Sequence, residues 1–383
     1  MSQLVPPHGG RLVDRILTNH SQIEEWCSDQ NLFRLEVPST VLVEAENLAH
    51  GCFSPLQGFP GENEIVSILN NWQLRDGKTF PIPPVFAINE QIKNQLEVPS
   101  RIILTYQNTP FGIMDVEEIF PFDKEFFMQL VFRTADLTHP GAALIARMGN
   151  FLLAGKVSIF ERNSLFFREA LTPKKAREIF SKKGWKTIAA FSTTNVPHRA
   201  HEYLQRCALE MADGLFIHAL QIVSGNEDEA KYPPQIIAAT YQELIHNYLP
   251  EPRIIFSLLP QLVRSAGPRS SVLQAIIRQN FGCSHQIFGR DHEGFSRFYG
   301  RYESQEIFTK FSDLHLQPLC FKEPYYCPKC ELIVTENSCP HAPGGIKISG
   351  TEIRKKLKQQ EPIEPFIVRP EIRKILSSRQ VSY

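Results

Sequence analysis

A chain of 383 residues is long enough for two or three domains, each burying its own core. Its 41 basic and 41 acidic residues give a formal net charge of zero, which excludes the basic footprint of a nucleic-acid binder or a membrane-surface protein. No basic stretch leads into an apolar one at the start, and no run approaches the roughly 20 apolar residues of a membrane span, so a soluble, cytoplasmic protein without nucleic-acid or membrane partners is expected.

Residues 1–168 carry short β-like runs broken by Pro, Gly and Asn, among them Phe80–Ile88 and Arg101–Tyr106, and predict a mostly β domain with some helix. From 169 to 325 the rhythm changes. Thr172 caps a helix over Lys174–Lys183, with Pro173 in its first position. Strands are expected at Thr187–Phe191, Leu215–Leu220, Arg253–Leu258 and His285–Phe288, separated by amphipathic helices at 200–212, 233–247 and 270–281. That alternation predicts a parallel sheet in a doubly wound α/β domain, whose ligands bind beyond the carboxyl ends of the strands. A Cys/Pro/Gly-rich insert at 326–345 opens a C-terminal segment, 326–383, that turns helical from Ser349 and breaks near Pro362–Pro370.

The densest chemistry lies at 188–204. The apolar run Ile188–Phe191 stops at a polar turn, and His198 and His201 then open a helix whose apolar face is Tyr203, Leu204, Cys207, Ala208 and Met211. A strand feeding a helix N-terminus points backbone N–H groups and a partial positive charge at one spot, which suits a phosphate chain. Two imidazoles there can donate to a leaving pyrophosphate. For an isolated His-x-x-His, two helix-start residues satisfying local hydrogen bonds is the plainer reading. Asn195 is equally natural as an Asx-turn residue. Gly289-Arg290-Asp291-His292 follows another strand end. Ala266-Gly267-Pro268-Arg269 opens the helix at 270, and Ser349-Gly350-Thr351 precedes a helix bearing Arg354.

Cys327, Cys330, Cys339 and His341 form a C-x2-C-x8-C-x-H pattern. In a chain with only eight cysteines and no export signal, three thiols within thirteen residues read as ligands of a structural, tetrahedral Zn2+.

These motifs stand in the order seen in ATP sulfurylases, which the chain resembles along nearly its whole length. The resemblance also takes in Pro7-His8-Gly9-Gly10, Gly51-Cys52-Phe53-Ser54-Pro55-Leu56-Gln57-Gly58-Phe59 and His139-Pro140-Gly141. It implies a PUA-like N-terminal domain, an α/β nucleotidyltransferase domain of the His-x-x-His type, and a small zinc-bearing C-terminal segment. It implies adenylyl transfer from MgATP to sulfate with release of pyrophosphate, in an expected homo-oligomer. Catalysis would fall to Thr193, Thr194, Asn195, His198 and His201. ATP would meet Thr194, Asn195, His198, His201, Arg269, Gly289, Arg290, Asp291, His292, Ser349 and Thr351. No G-x-x-x-x-G-K-[ST] loop is present, so the fused kinase of some relatives is not expected.

The departures cluster on the acceptor pocket. Where the family reads Gln-Thr-Arg-Asn-Pro, this chain has Ser192, Thr193, Thr194, Asn195 and Val196; where the family has Ala after Gly-Arg-Asp-His, it has Glu293. A carboxylate about 5 Å from a sulfate dianion would repel it by on the order of 6 kcal/mol at an effective dielectric near 20. Glu293 turned away onto Arg297 would avoid this. Three readings therefore stand: a sulfate adenylyltransferase, an adenylyltransferase for another small oxyanion or acid, and a non-catalytic nucleotide-binding relative.

Overall fold

The computed structural model describes residues 4–168, 170–223, 232–262, 264–290, 298–342 and 344–378. The N-terminal sheet has seven strands: β1 (Ile16–Leu17), β2 (Phe33–Glu36), β3 (Gly58–Phe59), β4 (Ala87–Ile88), β5 (Ser100–Tyr106), β6 (Thr109–Pro121) and β7 (Phe151–Phe160). Their order is β1-β7-β6-β5-β2, with β3 and β4 both paired antiparallel to β7. Only the end of the expected strand Phe80–Ile88 joins this sheet. Pro81, Pro83 and Pro84 lack the N–H groups a ladder needs, so Phe80 and Ile82 are buried as irregular chain instead.

The second sheet holds β8 (Ile188–Thr193), β9 (Gly214–Ile222), β10 (Ile254–Gln261), β11 (His285–Phe288) and β12 (Gln317–Cys320), all parallel, in the order β10-β9-β8-β11-β12. Counted within the sheet this is 3-2-1-4-5, so the winding reverses between β8 and β11. In doubly wound sheets such a reversal marks the crevice at the carboxyl ends of the strands where ligands bind. The sequence gives no warning of β12, a four-residue edge strand whose Pro318 costs nothing where one side of the ladder is open.

The helices fall close to expectation, at Pro173–Lys182, Arg199–Leu209, Pro234–Tyr248 and Pro268–Phe281. The last differs in character. Expected to be amphipathic, it is buried at every residue, because it lies between the two halves of the molecule. Its polar groups are used there: Asn280 Nδ2 donates to the carbonyls of Cys52 and Ser54 at 3.0 and 3.2 Å, and its Oδ1 accepts from His8 N at 2.8 Å.

A small antiparallel sheet follows, with β13 (Tyr325–Cys327) between β14 (Leu332–Val334) and β15 (Ile346–Lys347). Helices Gly350–Lys358 and Pro370–Ser378 close the described chain, and Ile353, Ile367, Val368 and Ile372 enter the same apolar cluster as Ile217 and Tyr241 of the α/β domain. Among the described residues no helix is long and apolar enough to cross a membrane.

Candidate active site

β8 delivers the turn Thr194–Pro197 to the crevice, and His198 caps the helix that follows. Its backbone is extended (φ −135°, ψ 169°), and its Nδ1 accepts from the backbone N–H of His201 at 3.3 Å. That bond leaves Nδ1 unprotonated and places the proton of the neutral ring on Nε2. His201 stacks on His198 with centroids 3.6 Å apart and leans on Phe191 at 5.0 Å. Burial pushes the His198 pKa down to about 3; burial and the neighbouring His198 hold His201 well below the usual range. Both rings are therefore neutral hydrogen-bond donors, and positive charge must come from arginines and the helix end.

The turn is braced from three sides. Thr193 Oγ1 accepts from Asn195 N at 3.1 Å, and the Tyr241 hydroxyl lies beneath Thr193 beside Gln205. From the C-terminal segment, Arg354 Nη1 donates to Asn195 Oδ1 at 2.8 Å and Nη2 to Thr351 Oγ1 at 3.1 Å. Ser349 caps this second helix by accepting from Glu352 N, and Gly350 lies so close that an added Cβ would stand 2.5 Å from Asn195 Oδ1. Two helix N-termini thus meet at one crevice, although 150 residues separate them in sequence. On the β11 side, Gln286 Nε2 donates to Ser192 Oγ at 3.3 Å, and Arg290 Nη1 donates to Glu323 at 2.8 Å.

The ATP-sulfurylase family profile matches residues 168–379, and the PUA-like domain profile matches residues 5–162. The chain belongs to the ATP-sulfurylase family. Proteins called sulfate adenylyltransferase from Aeropyrum pernix and Ignicoccus hospitalis are 39% and 37% identical to it, covering 96% and 97% of both chains. One from Chloroflexus aurantiacus is 38% identical over 98% of this chain and 97% of its own. Among solved structures, one titled a hexameric APS kinase from Thiobacillus denitrificans shares the fold, with TM-score 0.77 at 22% identity, covering 99% of this chain and 69% of that one. Fold class and enzyme class follow: an α/β nucleotidyltransferase domain behind a PUA-like domain.

Within this family fold, the sequence motifs fall into two places. Thr193, Thr194, Asn195, His198, His201, Gly289, Arg290, Ser349 and Thr351 come together at the crevice or on the loops that border it. Ser192, near the end of β8, and Thr194, on the turn that follows, both assigned to the acceptor pocket, are half-buried. Asp291, His292 and Glu293 lie outside the described residues.

Arg269 does not belong with them, contrary to the expectation that it meets ATP. It is 4% exposed; it donates to the carbonyls of Ile68, Leu69 and Pro81 and stacks over Trp72 at 4.3 Å. A guanidinium spent on three carbonyls of the N-terminal domain is an interdomain strut. Burial lowers its pKa to about 10, still well above neutrality. The remaining motifs serve the same junction. His8 donates its backbone N–H to Asn280 Oδ1 at 2.8 Å, and His139 Nε2 bonds the Ser265 carbonyl at 3.1 Å. A Cβ on Gly141 would stand 2.8 Å from the Arg264 carbonyl.

Cys327, Cys330, Cys339 and His341 converge as a four-donor set, all four ligand atoms lying within 4.8 Å of one another. Motif reasoning missed several supports of the site. Glu202, inside the His-Arg-Ala-His-Glu run, takes both arms of Arg369 at 3.0 and 2.7 Å, while Arg199 N donates to the Ile367 carbonyl. These bonds tie the C-terminal segment to the histidine helix. Arg354, three residues past Thr351, was within reach of sequence reading as the charged member of its motif; Glu323 and Tyr241 carry no sequence signal.

Proposed function

We propose that this chain is a sulfate adenylyltransferase: a sulfate oxygen attacks the α-phosphorus of MgATP, the bond from that phosphorus to the α,β-bridging oxygen breaks, and pyrophosphate departs with the electron pair. The observation that carries the reading is the neutral, stacked His198–His201 pair at the winding reversal of a family sheet. His198 would donate its Nε2–H to the leaving pyrophosphate, and His201 would share that task. Asn195 and the N-termini at His198 and Ser349 would receive the phosphates, with Arg290 supplying charge on the β11 side and Gly289 allowing close approach. Such a site works by positioning and electrostatics and requires no covalent intermediate. The relatives speak for sulfate as the acceptor, and no comparison favours another. Mg2+ enters as part of the nucleotide substrate.

The four-donor set fits Zn2+. With Zn–S near 2.3 Å and Zn–N near 2.0 Å, a tetrahedron has S···S edges of about 3.8 Å and S···N edges of about 3.5 Å. The separations Cys330–Cys339, Cys327–His341 and Cys330–His341 are 3.9, 3.7 and 3.3 Å. Bound there, the ion would crosslink the hairpin and take no part in transfer. Self-association belongs to the same proposal, supported by the structural neighbour described as hexameric.

The test is pyrophosphate release from MgATP with and without sulfate, together with ATP synthesis from adenylyl sulfate and pyrophosphate. Sulfate-dependent release and the reverse reaction are expected. Nucleotide binding without either reaction would overturn the reading.

A further inference from the structure

Glu323 stands between β12 and β13 and gathers three cations. Its Oε2 accepts from Arg290 Nη1 at 2.8 Å and Arg301 Nη2 at 3.2 Å, while Lys347 Nζ lies 3.6 Å from Oε1. These contacts are unequal. Arg290 and Glu323 are 23% and 24% exposed, whereas Arg301 and Lys347 are 61% and 57% exposed. Ion pairs of the outer kind hold little. Arg290 is the partner that this carboxylate can orient.

Glu323 adjoins the Cys/His hairpin. Glu323 lies two residues before β13, the strand that ends in Cys327, and Lys347 on β15 pairs directly with Tyr325 on β13. Two residues after Lys347 the same chain reaches Ser349, and Gly350 and Arg354 press on Asn195. The hairpin therefore touches both loops of the crevice, Asn195 after β8 through the second helix N-terminus and Arg290 after β11 through Glu323.

We propose that Glu323 is a positioning residue for Arg290, fixing the guanidinium for the triphosphate, with the Cys/His hairpin as the scaffold that sets its place. The inference rests on the nucleotide-binding reading above. A carboxylate beside a phosphate site has two opposed effects: its charge repels the ligand, and its hydrogen bond aims the arginine that attracts it. Three cations around one carboxylate leave two positive charges in excess, so repulsion is already overcome locally and aim is what the carboxylate adds. Glutamine keeps an acceptor oxygen and drops the charge; leucine drops both. The two substitutions separate aim from charge.

Binding of Mg2+ with α,β-methylene-ATP is measured by calorimetry on the metal-loaded full chain, alongside kcat and KM for ATP. Glu323→Leu is expected to weaken binding about tenfold, the equivalent of one lost charge-assisted hydrogen bond, and to raise KM more than it lowers kcat. Glu323→Gln is expected to stay within about threefold of the unmodified protein. In an Arg290→Met background, Glu323→Leu is expected to add nothing, because the two residues act as one unit. Leucine and glutamine variants that bind equally, a leucine variant that binds as well as or better than the parent, or full additivity with Arg290→Met would each overturn the proposal. An unmodified protein that fails to bind the analogue removes the functional reading and this inference with it. One that binds while Glu323→Leu has no effect removes this inference alone.

Discussion

The interdomain junction and the crevice are both built from buried polar residues in recognisable motifs, yet they differ in how those residues are satisfied. At the junction the donors are spent on main-chain carbonyls: Arg269 on three, Asn280 on two and His139 on one. Both places bury a polar atom without a hydrogen-bond partner, His8 Nδ1 at the junction and His201 Nδ1 and Gln286 Oε1 at the crevice, but only at the crevice do two histidines stack face to face among the described residues. An unpartnered buried polar atom costs about 1–3 kcal/mol wherever it lies, and the stacked pair differs in standing at the carboxyl ends of the strands, where a ligand can supply bonds. The junction holds the fold together; the crevice holds polarity ready for something else.

The comparison breaks most readily at its extremes. His198→Ala should cut the rate of pyrophosphate release about 10²–10³-fold, as the loss of a preorganised donor does, while thermal unfolding changes little. Restored turnover or a collapsed melting curve would place His198 with the structural group. Arg269→Met should do the reverse. Three carbonyls lose their donor, so stability should fall by about 3 kcal/mol in urea titration, with KM for ATP kept within about threefold. A large KM effect at unchanged stability would return Arg269 to the nucleotide.

Acid sharpens the contrast. His198 titrates near 3 in the folded chain against an ordinary 6.5, and His50, buried beside Ser164, near 4. As pH falls, the unfolded chain takes up these protons first. The stability contributed by the neutral rings is therefore complete above pH 6.5 and is lost progressively between 6.5 and about 3, with a slope for each of about 1.4 kcal/mol per pH unit. Urea midpoints at pH 7, 6 and 5 should fall more steeply for the parent than for His198→Gln; parallel curves would mean that His198 is not buried neutral. The smallest effect is expected from Gly350→Ala. Its new Cβ would meet Asn195 Oδ1 at 2.5 Å and displace that amide, lowering turnover by several-fold, about 1 kcal/mol, with no measurable change in melting.

Much of this division was legible before any fold was known, though not which motif belonged where. The strands at Ile188–Thr193 and His285–Phe288 and the capped helix at Pro173 follow from apolar runs and cap residues, which act over a few positions. Arg269 was misplaced because its motif, a turn followed by an arginine at a helix start, looks the same whether the guanidinium faces a phosphate or a neighbouring domain. The buried helix Pro268–Phe281 misled for a related reason. Its Gln279 and Asn280 are polar residues of a helix expected to leave one face in water, and the N-terminal domain lying over them makes them interior.

Local chemistry in the chain determined the element types, the His-x-x-His turn, the cysteine knuckle and the family, because each depends on neighbours a few residues apart. Tertiary structure alone decided that Asn195 meets Arg354, that Arg290 meets Glu323, and that Arg269 spans two domains. Those contacts join residues 33 to about 200 positions apart, and their partners are set by the 3-2-1-4-5 strand order and by which faces the two sheets bury. Charge and hydrogen-bonding capacity are properties of a residue; whether they are spent on the fold or left for a ligand depends on what the fold brings beside it.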